Sequence, residues 1–189
     1  MENSSKRKII LVTDGDRVAR KAVETASSNI GARCISRSAG NPTPLTGAEI
    51  VNLVKQAPYD PVVVMADDRG HTGQGKGEQA IVEIARSDEI DIIGVIAVAS
   101  NTEGVNGIEV DYSISKNGNV VENTVDKCGN IQAGNVVKGD TVDILDSIKT
   151  NIIIGIGDPG KMDGKDKCEI GAPIITKAME EILKRSGFM

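Results

Sequence analysis

The sequence predicts an α/β protein with one doubly wound, mostly parallel sheet and helices on both faces. Short apolar runs alternate along the chain with segments whose apolar residues recur at helical spacing, which is typical of strands joined by covering helices. Several of the apolar runs are continuous, as expected for strands that are buried on both faces. These features favour a three-layer, flavodoxin-like or more generally Rossmann-like arrangement.

The first half of the chain predicts four strands that alternate with three helices. The first helix has apolar residues at helical spacing from Val18 to Ile30 and a stop at Gly31. A capping box of Thr46 and Glu49 precedes the second helix, and the third helix begins at about Gly77. The predicted strands cover residues 7–13, 32–36, 62–65 and 91–99.

The pattern changes after residue 100, where a β-hairpin insertion is predicted at about 108–126. Two short strands surround an Asn-Gly turn at 116–119. A short helix capped by Asp140, a strand at 151–157 and a last helix between Pro173 and Gly187 follow. No long linker interrupts the chain, so we expect residues 1–189 to form a single domain.

Composition excludes several classes of function. The chain has only three aromatic residues and a net charge of −5, which disfavour nucleic-acid binding through base stacking or phosphate contacts. No segment approaches the roughly 18 consecutive apolar residues of a membrane-spanning helix. Three widely spaced cysteines without a CxxC motif indicate reduced thiols. We therefore expect a chain that is soluble when expressed alone.

The stretch at 61–78 is the most informative for function. An apolar strand there is followed by two carboxylates, four glycines, the only histidine and a lysine, directly before a helix. Glycines allow close approach of a ligand, and a helix N-terminus offers free N–H groups. Together with acids at two other strand ends, they form a candidate ligand-binding crevice, whose residues are Asp14, Asp16, Asp67, Asp68, Gly70, His71, Gly73, Gly75, Lys76, Gly77 and Asp158.

The acids are expected to meet at one edge of the sheet. In the common strand order 2-1-3-4-5, strands one and three are neighbours, which places Asp14 and Asp16 beside Asp67 and Asp68. Asp158 joins them if its strand is also parallel. The candidate ligands for Ca²⁺ or Mg²⁺ are the four neighbouring acids Asp14, Asp16, Asp67 and Asp68. No other cofactor is expected. The alternative is that they cap helices and turns, a role for which Asp16 is well placed.

Two motif matches in these segments are incomplete. The spacing Gly70-x-x-x-x-Gly75-Lys76 approaches a phosphate-binding loop, but Gly77 stands where Ser or Thr would hold Mg²⁺. A flexible anion-accepting turn or a plain surface loop is the better interpretation. His71 has no second histidine with which to bind a metal, so a surface histidine is the default.

A second order of residues resembles that of haloacid-dehalogenase-like phosphatases. In that scheme Asp14 is the nucleophile and Asp16 the general acid, Ser100 follows a later strand, and Asp158 binds Mg²⁺. The flap sequence expected after Asp16 is absent, and Lys149 is the only candidate for the lysine of that family. A Mg²⁺-dependent phosphatase is therefore an alternative hypothesis.

Longer blocks of the sequence resemble the stage V sporulation protein AE family of spore-forming Firmicutes, in its small AEa form. The blocks occur in order along nearly the whole chain: LVTDGD, RCISRSAGNPTPLTG, PYDPVVVMADDRGHTGQGKGEQA, IIGVIAVAS, VDKCGN, IIIGIGDPGKMDG and GAPIITKAMEEILKRSGF. The resemblance is far more specific than either short motif. It brings no established catalytic or binding residues, so no catalytic residue is assigned.

The resemblance implies a non-enzymatic accessory role beside the other stage V sporulation A proteins. Those proteins move dipicolinic acid, as its Ca²⁺ chelate, into the spore and release it at germination. The implied location is peripheral to the inner spore membrane, among integral partners. The hairpin at 108–126 is the candidate docking surface, or equally a self-association element that would make a homo-oligomer. A small-ligand or cation sensor at the strand crevice is the remaining hypothesis.

Overall fold

The computed structural model describes residues 5–70 and 74–189. Its first half alternates strands and helices as predicted, with element ends within about three residues of those expected from the sequence. These elements are β1 (Arg7–Val12), α1 (Arg17–Asn29), β2 (Arg33–Cys34), α2 (Gly47–Gln56), β3 (Val62–Met65), α3 (Lys76–Arg86) and β4 (Ile90–Val98).

The second half contains short strands and one long helix. It consists of β5 (Ile108–Glu109), β6 (Tyr112–Ile114), β7 (Val120–Val121), β8 (Val136–Val137), β9 (Ile153–Ile156) and α4 (Pro173–Arg185). The helix predicted after Asp140 is instead a 3₁₀ turn at Asp143–Ser147, and Asp140 does not cap it.

The main sheet has seven strands in the order β2-β3-β1-β4-β9-β6-β7, and each neighbouring pair is parallel except β6 and β7. Strands β1 and β3 are neighbours, as predicted. The order 2-1-3-4-5 was wrong at two pairings, because β2 pairs with β3 and not with β1, and β4 pairs with β1 and not with β3. From β1 the chain crosses through α1 to β2, two positions away in the sheet. It then returns by one position through α2, on the other face, to β3.

Helices cover both faces of the sheet and make three layers. Alternate residues of β1 point to opposite faces: Ile10 and Val12 pack with α1 and α4, while Ile9 and Leu11 pack with α2 and α3. All four side chains are fully buried. The predicted α/β class with a mostly parallel, flavodoxin-like layering is therefore confirmed.

Sequence signals at the helix ends are confirmed in detail. Asp16 caps α1, and Thr46 and Glu49 form the predicted capping box of α2. Pro173 occupies the first turn of α4, where the buried carboxylate of Asp166 accepts hydrogen bonds from the N–H groups of Ile174 and Ile175. Carboxylates thus satisfy helix N-termini throughout this fold.

The predicted hairpin exists but does not project from the sheet. β6 and β7 pair antiparallel on either side of a turn that contains Gly118, whose φ is 80°. β6 also pairs in parallel with β9, and its residues Ser113 and Ile114 are fully buried. β5, at the start of the predicted insertion, instead pairs with β8 in a separate two-stranded sheet. The hairpin therefore completes the sheet, because its apolar side chains pack under α4.

Candidate functional site

A cavity of about 200 Å³ opens at the carboxyl ends of β1, β3, β4 and β9. The helices that follow β1 and β3 lie on opposite faces of the sheet, so this is the point at which an α/β sheet forms its crevice. Five carboxylates and one ammonium group are among its lining residues, which are Thr13, Asp14, Asp16, Asn41, Asp67, Val98, Ser100, Asp140, Asp158 and Lys161. We call this the acidic cavity.

Two of its acids follow β1. Asp14 is only 7% exposed, and its Oδ1 accepts hydrogen bonds from the N–H groups of Gly15 (2.8 Å) and Asp16 (3.3 Å). Asp16 uses its own Oδ1 to accept hydrogen bonds from Val18 (2.8 Å) and Ala19 (2.9 Å) at the start of α1. The capping role expected for Asp16 is therefore present, and the same side chain lines the acidic cavity.

Asp67 follows β3 and is the most constrained acid of the cavity. Its backbone N–H donates to Thr43 Oγ1 (2.8 Å), and its carbonyl oxygen accepts from the N–H of Thr43 (2.9 Å). The residue is 4% exposed, and its buried Oδ2 has no hydrogen-bond partner among the described residues. The loop at Thr43 thus fixes the backbone of a residue whose carboxylate keeps one oxygen without a partner in the described chain.

The other two acids lie at the carboxyl ends of β4 and β9. Ser100 Oγ donates to Asp140 Oδ1 (3.1 Å) and accepts from the N–H of Asp140 (3.0 Å), which ties residue 140 to the end of β4. Asp158 lies 3.6 Å from Lys161 and accepts a hydrogen bond from Gly160. Within residues 5–70 and 74–189, Lys161 is the single basic residue that lines the acidic cavity.

Burial and mutual repulsion raise the pKa of three of these acids. For Asp14 the pKa rises well above its ordinary value, first because of burial and then because of Asp16, Asp67 and Asp158. Burial raises the pKa of Asp67 to about 7, with a smaller contribution from Asp140. Burial also raises the pKa of Asp140. The acidic cavity therefore retains protons at pH values where exposed carboxylates are ionised.

Asp68 takes a different role from the one predicted, because it does not line the acidic cavity. Its two carboxylate oxygens accept hydrogen bonds from the N–H groups of Gly77 (2.9 Å) and Glu78 (3.0 Å) at the start of α3. Gly75 is the N-cap residue of that helix and has no side chain to make this cap. Asp68 supplies it from the neighbouring loop instead.

The hydrogen bonds of Asp68 to the start of α3 also bear on whether residues 70–76 form a phosphate-binding loop. The N–H groups that would bind a phosphate already serve Asp68, and Lys76 is exposed to solvent. Gly70 has a φ of 61° and lies beside the carboxylate of Asp140. His71 and Gly73 were also predicted for the crevice, but they lie outside the described residues. The plain-loop interpretation is therefore the better one for Gly75 and Lys76.

The structure brings together Asp14, Asp16, Asp67 and Asp158 as predicted from the strand order. Sequence reasoning missed Asn41, Asp140 and Lys161. Lys161 carried a usable signal, since it follows a strand end within the tight turn Asp158-Pro159-Gly160. Asn41 and Asp140 lie in irregular segments whose paths back to the sheet edge have no sequence signature. Lys149, the candidate lysine of the phosphatase hypothesis, precedes β9. It therefore lies toward the edge of the sheet opposite the acidic cavity.

In the part of the chain that the structure describes, no three or more His, Cys, Asp or Glu side chains form a cluster that could hold a metal ion directly. Asp14, Asp16, Asp67 and Asp68 also do not face one common point, because Asp68 binds the N-terminus of α3. A metal role for the other three stays a prediction. The residues present can offer negative charge and hydrogen-bond acceptors to a hydrated ligand.

Comparison with known proteins gives one informative result. No curated protein and no solved structure is significantly similar to the chain. None of the described helices is long and apolar enough to cross a membrane. The family model for stage V sporulation protein AE1 matches residues 8–186. Because that match covers nearly all of the 189 residues, the chain belongs to the stage V sporulation protein AE1 family and has a role in sporulation.

Proposed function

We propose that this chain is a non-enzymatic accessory of the stage V sporulation A proteins. In this role it acts in the uptake of dipicolinic acid, as the Ca²⁺ chelate, during sporulation and in its release at germination. The observation that carries the proposal is the family match over residues 8–186. The accompanying location is peripheral to the inner spore membrane.

The chemistry of the acidic cavity supports a non-enzymatic role. A carboxylate nucleophile must be ionised, but burial and three neighbouring acids raise the pKa of Asp14 well above its ordinary value. The carboxylate of Asp16, the candidate general acid, is engaged at the start of α1, where it accepts two backbone hydrogen bonds. Neither side chain is therefore prepared for the phosphatase roles that its position suggests.

One observation still favours the phosphatase alternative. Asp14, Asp16, Ser100 and Asp158 all line the acidic cavity, as that scheme requires. However, Lys149 lies toward the opposite edge of the sheet, and Lys161 is the only basic residue at the cavity in the part of the chain that the structure describes. The alternative would thus need a rearranged set of residues as well as an ionised Asp14.

Direct binding of free dipicolinate to the acidic cavity is disfavoured by charge. Dipicolinate is a dianion, and five carboxylates line the cavity against one lysine. The accessory role would therefore operate through protein partners or through a cation. Attachment at the membrane would also use protein contacts, since a chain of net charge −5 is weakly attracted to anionic lipid.

The candidate docking surface is now the outer edge of β7, because β6 is buried within the sheet. Val120 and Val121 of β7 are half-buried, and β7 ends the strand order. A terminal strand offers unpaired backbone groups to another strand. The same edge would serve either a stage V sporulation A partner or a second copy of the chain.

Spores that lack this chain provide the test of the accessory role. We expect them to accumulate less dipicolinic acid, or to release it more slowly after a germination trigger, than spores complemented with the wild-type gene. Dipicolinic acid is measured by terbium fluorescence in both strains. Equal content together with equal release rates would contradict the proposal.

The docking surface is tested separately with Val121→Lys, which places a charge on the edge of β7. Val136→Lys is the matched control, because Val136 is partly exposed in the separate two-stranded sheet. Recovery of stage V sporulation A proteins from solubilised spore membranes should fall for Val121→Lys alone. If both variants recover these proteins like the wild type, the β7 edge is not the docking surface.

A further inference from the structure

We propose that the acidic cavity binds a hydrated divalent cation, Mg²⁺ in the first instance, with Asp67 as its principal charged contact. The inference rests on the geometry of the cavity and is independent of the role in dipicolinic acid transport. A cluster of acids is insufficient by itself, since acids also cap helices. The following observations identify a ligand as the missing component.

The first observation is the unsatisfied oxygen of Asp67. The other acids of the cavity have partners: Asp14 accepts from Gly15, Asp16 from α1, Asp140 from Ser100, and Asp158 from Gly160. Oδ2 of Asp67 is buried and has no partner among the described residues. When this carboxylate is ionised, a buried oxygen without a donor or a cation is strongly unfavourable, so the ionised form calls for one of the two.

The second observation is that Asp67 is held rigidly. Thr43 forms hydrogen bonds with both the N–H and the carbonyl oxygen of Asp67. Gly15 packs against the same residue, since a β-carbon added at Gly15 would lie 3.3 Å from Cβ of Asp67. The side chain therefore cannot easily turn to solvent to relieve its charge, and its position is preorganised for a ligand.

The third observation is the imbalance of charge around Asp67. Four further acids, Asp14, Asp16, Asp140 and Asp158, line the same cavity, and among the described residues Lys161 is its only lining residue of opposite charge. Lys161 is paired with Asp158, at 3.6 Å, and its side chain is more than half exposed. One lysine at the rim leaves most of the negative charge uncompensated, which favours a doubly charged cation.

The geometry further selects a cation that keeps its water. The described carboxylates do not form a direct coordination cluster, so the ion would meet them through its own hydration shell. Mg²⁺ dehydrates reluctantly and is commonly bound through one or two carboxylates and several waters. The cavity volume of about 200 Å³ leaves room for several waters around such an ion.

Calorimetric titration of the full chain with MgCl₂ alone, at constant ionic strength and pH 8, tests the proposal. We expect the wild type to bind Mg²⁺. Asp67→Asn keeps the shape of the side chain but removes its charge, so it should bind Mg²⁺ at least about tenfold more weakly than the wild type. Asp91→Asn is the matched control for net charge, because Asp91 pairs with Lys8 near the start of β4, at the opposite edge of the sheet. It should bind Mg²⁺ like the wild type.

Further measurements keep the test valid if Asp67→Asn does not fold, and they examine how the ion is bound. Circular dichroism checks that Asp67→Asn is folded, and Asp14→Asn replaces it if it is not. Mn²⁺ is then used as a paramagnetic probe, and the relaxation of water protons should show that the bound ion retains exchangeable water. Mg²⁺ should displace Mn²⁺ from this site.

Two results would overturn the proposal. They are the absence of Mg²⁺ binding by the wild type and equal affinity in the wild type and the cavity variant. A bound Mn²⁺ without exchangeable water would overturn the hydrated mode of binding that we propose.

Discussion

The carboxylate of Asp68 accepts a 2.9 Å hydrogen bond from the N–H of Gly77, nine positions later in the chain. This contact closes the N-terminus of α3 with a side chain from the end of β3. A β-carbon added at Gly75 would overlap that carboxylate. The glycines here make room for a carboxylate of the same protein, whereas the sequence motif suggested room for a ligand.

The first prediction is that Gly75→Ala destabilises the fold. The added methyl group must displace the Asp68 carboxylate and so weaken its hydrogen bonds to α3, at a cost of about 1–3 kcal/mol. Urea unfolding measures this change in the free energy of unfolding. Lys76→Ala, one position further and exposed, is the control and should stay within about 0.5 kcal/mol of the wild type. Equal stability of both variants would show that Asp68 is not the essential cap.

The second prediction concerns the pH dependence of stability. In the folded chain the pKa of Asp67 is raised to about 7, whereas its ordinary value is 3.8. Between these pH values the folded state binds more protons than the unfolded state, so the free energy of unfolding decreases as the pH rises through this window. The loss is complete above about pH 7.

Asp67→Asn should remove this pH dependence, because the amide does not titrate. We expect the variant to gain stability relative to the wild type at pH 8, by up to roughly 4 kcal/mol for a shift of this size, with the gap closing toward pH 4. Urea unfolding at several pH values without divalent cations measures it, and Asp91→Asn serves as the control. Parallel pH profiles for Asp67→Asn and the wild type would contradict the assigned environment of Asp67.

The third prediction is that the β6–β7 hairpin is part of the core. Ile114 is fully buried against β9 and α4, so Ile114→Ala should lower the free energy of unfolding by about 2–5 kcal/mol. Val120→Ala, at a half-buried position on β7, should cost clearly less. Thermal unfolding compares the two variants. Similar small losses for both would indicate that the hairpin is a peripheral arm and not part of the core.

The fourth prediction is that the purified chain does not hydrolyse p-nitrophenyl phosphate in the presence of Mg²⁺. The raised pKa of Asp14 leaves little ionised nucleophile, and Asp16 is bound to the start of α1. Release of p-nitrophenol should match that of Asp14→Asn. Turnover by the wild type that this substitution abolishes would establish the phosphatase alternative.

The local signals in the sequence were reliable wherever a short segment determines its own structure. The capping box of Thr46 and Glu49, the stop at Gly31 and the start of α4 at Pro173 are all present. Each depends on contacts within a few residues. The neighbouring positions of β1 and β3 were also predictable, because crossover connections in parallel sheets follow few patterns.

The candidate site was only partly predictable for the opposite reason. Asp67 and Asp68 are adjacent in the sequence, yet Asp67 faces the acidic cavity and Asp68 caps α3. Side chains of consecutive residues leave an extended backbone in opposite directions, and which one faces the crevice depends on strand register and the packing of Thr43. No pattern of residue types distinguishes these two aspartates.

The amino-acid sequence alone determined the α/β class, the positions of α1 to α4 and the family, since all three follow from periodicity, capping residues and long ordered blocks of similarity. Tertiary structure decided which acids share a cavity, which one is left without a partner and whether the hairpin projects. Those properties depend on contacts between residues far apart in the chain, and their energies are set by burial and mutual repulsion.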